Sequence, residues 1–148
     1  MTTTTSTATL SRDDTDAILD TAVRWRAEGR RVALATVVAT WGSSPRPAGS
    51  QLAADDAGEF VGSVSGGCVE SAVISEARAI LRGAPAKLLG FGVSVEQAWE
   101  VGLACGGKVE IFVHSLAAQD ELLGALRRVR AARKPAVVAI DLADGRSA

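Results

Sequence analysis

Two glycine-flanked cysteines carry the most reactive groups in this sequence. Cys68 lies in "VGSVSGGCVESAV" (residues 61–73) and Cys105 in "GLACGGKVEIFV" (102–113). With Ser65 as the N-cap of the helix that should follow, Gly66, Gly67 and Cys68 occupy its first turn. Backbone N–H groups there lack helical partners, the helix dipole adds partial positive charge, and glycine admits an anion at close range. The same field favours thiolate over thiol. The competing reading is a tight strand-to-helix turn with a small buried cysteine. A third segment, "GSSPRPAGS" (42–50), offers the hydroxyls of Ser43, Ser44 and Ser50. It also places Arg46 between two prolines, where a guanidinium can grip an oxyanion. An ordinary surface loop is the alternative there.

Other chemistries fit less well. The two cysteines stand 37 residues apart and His114 is the sole histidine, so a four-ligand zinc site within one chain is not expected. His114, at a strand end, makes a weak partner for a Cys–His hydrolase. No Walker motif is present. Glu70 and Glu110 follow the two Cys-Gly segments; a helix-capping acid and an exposed strand residue describe them equally well. Arg127, Arg130 and Lys134 share a helix face that reads as solvated, with a docking patch for an acidic partner as the alternative. Trp25 and Trp99 read as core or interface residues. Trp41 opens the polar loop and can wall a pocket.

The elements that must position these residues follow from periodicity. "SRDDTDAILDTAVRWRAEGR" predicts an amphipathic helix with Ile18, Ala22 and Trp25 inward and Gly29 at its end. "RVALATVVAT" (31–40) predicts a buried strand. "QLAAD" and "EFVGSV" around "DAG" predict a hairpin. "GCVESAVISEARAILRG" predicts a helix facing inward through Val69, Val73, Ala77 and Ile80. "AKLLGFG" predicts a short strand, "SVEQAWEVGL" a short helix and "KVEIFVHS" a strand. "AQDELLGALRRVRAARK" predicts a helix with Leu122, Leu126 and Val129 inward. "PAVVAIDL" predicts a final strand, followed by an Asp-Gly turn whose return strand would come from elsewhere. The expected fold class is α/β, a layered mixed β-sheet flanked by helices, in a single domain over residues 11–148. Residues 1–10 are expected to be a disordered tail.

Composition narrows the class further. The chain has 148 residues, 47% apolar, with a formal net charge of −1. That suits one compact domain and gives no argument for nucleic acid or membrane partners. No signal peptide is expected at the start, and two cysteines without one point to a reducing cytoplasm.

Three segments together resemble the signature blocks of the XdhC/CoxI family: "GSSPRPAGSQL", "GEFVGSVSGGCVESAV" and "VGLACGGKVEIFV". The resemblance implies a cytoplasmic, bacterial maturation factor for molybdenum hydroxylases of the xanthine dehydrogenase and carbon monoxide dehydrogenase type. Such a chaperone transiently binds the molybdenum cofactor (molybdopterin), assists its sulfuration by a cysteine desulfurase and delivers it to the hydroxylase apoenzyme. Carried over by motif, the implied cofactor-binding residues are Ser43, Ser44, Arg46, Gly49, Ser65, Gly66, Gly67, Glu70, Gly106 and Gly107. Cys68 and then Cys105 are the candidate reactive thiols, and no resident metal is implied. Similar chains usually carry a second, Rossmann-like domain that this sequence lacks, which implies a separate partner half or a shortened member, and homo-oligomerisation. The role is accessory rather than that of a turnover enzyme. A cysteine-dependent sulfur-transfer or redox enzyme and a non-catalytic assembly subunit are the alternatives.

Overall fold

The computed structural model describes residues 12–42, 46–67, 69–92 and 107–147. The expected tail over 1–10 and the expected helix within 94–103 lie outside them. Helix α1 (Arg12–Ala27) buries Ile18, Ala22 and Trp25 along one stripe, as helical spacing of apolar residues requires. Gly29 adopts φ 80. The next N–H, that of Arg30, then donates back to the Trp25 carbonyl at 2.9 Å, closing the helix.

Strand β1 (Val32–Trp41) runs through the middle of the sheet. Strands β2 (Gln51–Asp55) and β3 (Phe60–Gly62) form the expected hairpin. Its turn is tied by the Asp55 carboxylate, which accepts the N–H groups of Ala57 at 3.0 Å and Glu59 at 2.8 Å. Helix α2 (Glu70–Leu81), strands β4 (Lys87–Gly92) and β5 (Lys108–Ser115), and helix α3 (Asp120–Ala131) complete the described elements. The sheet order is β3-β2-β1-β5-β4.

The layered α/β class is as expected, but the sheet is not mixed in strand direction: every pairing is antiparallel. The reason lies in where α2 leads. It joins β3 to β4, two strands that do run the same way, yet it carries the chain from one edge of the sheet to the other. Three strands separate them, so the crossover creates no parallel pair. Opposite β5, β1 also carries a β-bulge between Val37 and Ala39.

The two faces of the sheet pack differently. On one, Ala33, Ala35 and Val37 of β1 and Val109, Ile111 and Val113 of β5 meet Val73, Ala77 and Ile80 of α2. On the other, Val32 and Ala53 meet α1, together with Leu116 and Leu123. Helix α3 turns a different side inward than Leu122, Leu126 and Val129 suggested. Leu123 is its buried residue, because it closes on the α1 cluster, while Leu122 and Leu126 face a cavity.

The expected final strand is reduced to one bridge, Ile140 to Ser147. Among the described residues its apolar run has no strand beside it to complete a ladder, and Val137 is almost fully exposed. The Asp-Gly turn does have a return arm in this chain. The Asp141 N–H donates to Arg146 O at 2.8 Å and the Gly145 N–H to Asp141 O at 2.7 Å. Among the described residues no helix is long and apolar enough to cross a membrane.

Candidate functional site

Antiparallel pairing sorts the connections between the two ends of the sheet. Strands β1, β3 and β4 finish at the end where β2 and β5 begin. Segments 42–50, 63–69 and 93–107 therefore all attach at that one end. These are the segments that hold the sequence-predicted site residues. Ser43, Ser44, Cys68, Cys105 and Gly106 lie outside the described residues, whereas Arg46, Gly49, Ser65, Gly66, Gly67, Glu70 and Gly107 lie within them.

The first segment folds back on β1. The Gly49 N–H donates to Val37 O at 2.7 Å, and the Val37 N–H donates to Ser50 O at 2.9 Å. Gly49 has φ 92, a left-handed value suited to glycine. The Ser50 hydroxyl, read from sequence as a possible ligand donor, is buried and donates to Pro47 O at 2.7 Å, holding the turn. Arg46 is half-buried in the same turn.

The second segment is organised by Glu70. Its carboxylate, in a residue only 8% exposed, reaches back over the preceding loop. Oε1 accepts the Ser63 hydroxyl at 2.8 Å and the N–H groups of Val64 at 3.2 Å and Ser65 at 3.0 Å. Oε2 accepts the Ser65 hydroxyl at 2.6 Å. Burial pushes this carboxyl up. The Ser65 and Ser63 hydroxyls and the Ser65 backbone N–H outweigh that and hold it at about 2. The Ser65 hydroxyl in turn accepts the Val69 N–H at 3.0 Å, and the Ser63 hydroxyl accepts that of Gly66 at 3.0 Å.

This network moves the helix start. The sequence suggested that Gly66 and Gly67 form the first turn after a Ser65 cap, but α2 begins at Glu70 and Val69 precedes it as N-cap. Gly66 (φ 74) and Gly67 (φ 113) are consecutive left-handed residues, which no right-handed first turn accommodates. Both are exposed. Among the described residues, a Cβ built on Gly67 meets nothing within 4 Å. By contrast, a Cβ on Gly62 would strike Gln51 O and come within 2.8 Å of Ile18 Cδ1.

The third segment joins the first at the sheet end. Trp41 and Lys108 are strand partners, and the Lys108 ammonium stands 4.8 Å from the centre of the Trp41 ring, a cation–π contact. Trp41 stays 47% exposed. A Cβ on Gly42 would lie 3.7 Å from Gly107 Cα, so the two loops touch. Sequence reasoning missed Lys108 and Ser63. No local rule links Ser63 to a carboxylate seven residues on, and Lys108 gains its place only through strand register. His114 lies elsewhere, paired with Leu34 far along β5 from this end.

The chain is similar to several known proteins. Residues 25–92 match the XdhC and CoxI family. The chain is 34% identical over 124 residues to the molybdenum cofactor insertion chaperone PaoD of Escherichia coli, covering 83% of this chain and 38% of that protein. It is also 34% identical over 114 residues to the uncharacterized protein YqeB of Escherichia coli, covering 75% of this chain and 21% of the relative. The fold resembles that of a solved xanthine dehydrogenase from Bacillus halodurans, with a TM-score of 0.61 at 22% identity over 77% of this chain and 34% of that one. The chain thus spans well under half the length of each. The segment matched, residues 25–92, runs from Trp25 of α1 through both glycine loops of the first two blocks to the end of β4, and over it the chain is similar to the XdhC and CoxI family.

Proposed function

We propose that this chain binds the molybdenum cofactor as cargo and hands it to a molybdenum hydroxylase, as a cytoplasmic accessory protein rather than a turnover enzyme. One observation carries the reading: three glycine-bearing segments attach at one end of the sheet, and one of them is held by Glu70 with Gly66 and Gly67 exposed and left-handed. The likeness to an insertion chaperone supports it.

The cargo is a phosphorylated pterin with a dithiolene and an oxo-metal end, so it needs anion donors and close backbone approach. Gly66 and Gly67 supply the approach, and Arg46 with Ser43 and Ser44 supplies the charge and hydroxyls for the phosphate. Glu70 contributes through Ser63 and Ser65, fixing the loop. Cys68 and Cys105 are the thiols we assign near the sulfur-bearing end, where a soft ligand suits the metal. The chain's own part is to hold and shield the cargo while a cysteine desulfurase supplies sulfur, and then to release it to the apoenzyme. Self-association belongs to the same proposal.

Retention tests it. The purified chain is mixed with molybdenum cofactor and passed through gel filtration, and pterin is measured in the protein peak. Stoichiometric retention is expected for the wild type, at least tenfold less for Arg46→Ala, and normal folding for both. No retention by the wild type overturns the reading. Equal apoenzyme activation by wild type and Cys68→Ser removes the role given to that thiol.

A further inference from the structure

The side of the sheet away from α2 holds a cavity of about 620 Å³, bounded by α1, α3, the sheet and residues 136–147. Small-molecule sites commonly enclose about 300–1,000 Å³, with apolar walls and few polar groups. The walls here include Leu34, Leu122, Leu126, Val138 and Ile140. His114 also faces the cavity and is 1% exposed; it is near the Ser115 backbone, yet among the described residues neither ring nitrogen makes a hydrogen bond of good geometry. A buried polar side chain without partners is rare and costs stability.

Several other polar groups at the cavity are occupied. The Gln51 amide donates to Thr36 Oγ1 at 3.2 Å, and the Gln119 amide donates to Gly145 O at 2.7 Å. Arg130 is ion-paired with Asp16. Burial pushes the His114 pKa down, so the ring is neutral, with one donor and one acceptor nitrogen. Phe112 stacks beside it with ring centres 5.5 Å apart. Charge is thus balanced at the rim, and His114 is the buried donor–acceptor handle of the lining.

We propose that this cavity is a second ligand site, separate from the glycine loops, which takes a neutral small molecule with an apolar body and a hydroxyl or amide head set against His114. The site does not depend on cofactor binding at the sheet end. An anionic head fits it poorly, because Arg130 already has its carboxylate and the imidazole is uncharged.

The test uses 2-naphthol, naphthalene and 2-naphthoate as probes, with binding followed by ligand-observed NMR on the full chain at pH 7.5. The expected result is 2-naphthol binding at least tenfold tighter than either of the others. His114→Phe should erase the preference for naphthol over naphthalene while leaving both bound. Leu126→Trp, which fills the cavity from its half-buried side, should abolish binding of both. Variants are compared only where circular dichroism shows the native fold; should His114→Phe fail that check, Leu126→Trp decides. No naphthol binding by the wild type, equal affinities for all three probes, or unchanged binding in Leu126→Trp overturns the proposal. The first of these results would mean that water alone completes His114.

Discussion

The two faces of the sheet are built from the same kinds of residues and end up in different states. Beneath α2, small and β-branched side chains from β1, β2 and β5 close against Val73, Ala77 and Ile80. Beneath α1 and α3, a shorter cluster leaves a cavity beside an imidazole with no well-formed hydrogen bond among the described residues. The first face anchors α2, and with it Glu70 and the loop that Glu70 grips. The second tolerates open volume. A sheet can therefore give its precision to one side and its room to the other, provided that the strands themselves are shared.

Four measurements break or sharpen that contrast. Leu52 is fully buried on the closed face, so Leu52→Ala should cost about 4 kcal/mol by chemical denaturation; a loss below about 1 kcal/mol would mean that this face is not closed. Glu70 comes next. Its carboxyl titrates at about 2 in the folded chain against an ordinary 4.5, so its stabilisation is present above pH 4.5 and is lost as pH falls from there toward 2. Glu70→Ala should cost about 3 kcal/mol at pH 7 and flatten that acid limb; an acid limb unchanged in the variant would refute the network. Ala35→Leu, an added bulk on the closed face, should cost about 2 kcal/mol. The smallest effect belongs to the open face, where Leu122→Phe should change stability by no more than about 0.5 kcal/mol, because the ring has space to enter. Equal costs for these last two would erase the distinction between the faces.

Much of the scaffold was legible in the sequence, because local periodicity set it. Ile18, Ala22 and Trp25 mark one helix face, Gly29 and Gly83 mark helix ends at positive φ, and the Asp-Ala-Gly turn marks the hairpin. The site was half legible. The glycine segments stood out by composition, yet their meeting at one end depends on strand order, which pattern does not give. The start of α2 was misplaced because the deciding contacts run from Glu70 back to Ser63 and Ser65 through space. The terminal run from Pro135 to Leu142 looks like a strand by residue type, but a strand exists only with a neighbour to bond, and here one bridge is all it finds.

The bulge in β1 sets the phase of everything beyond it. Up to Val37, odd-numbered residues point toward α2. Past the bulge, Thr40 stands opposite Val109 and Trp41 opposite Lys108, so the odd and even positions exchange sides. Trp41 consequently shares a side with Lys108, Phe112 and His114 instead of driving a large indole into the closed core. Unbroken alternation from Val37 onward would instead set Val38 opposite Glu110 and turn Trp41 toward α2. One unmatched residue thus acts as a half-period shift, delivering an aromatic ring and its lysine to the end of the sheet where the glycine loops gather.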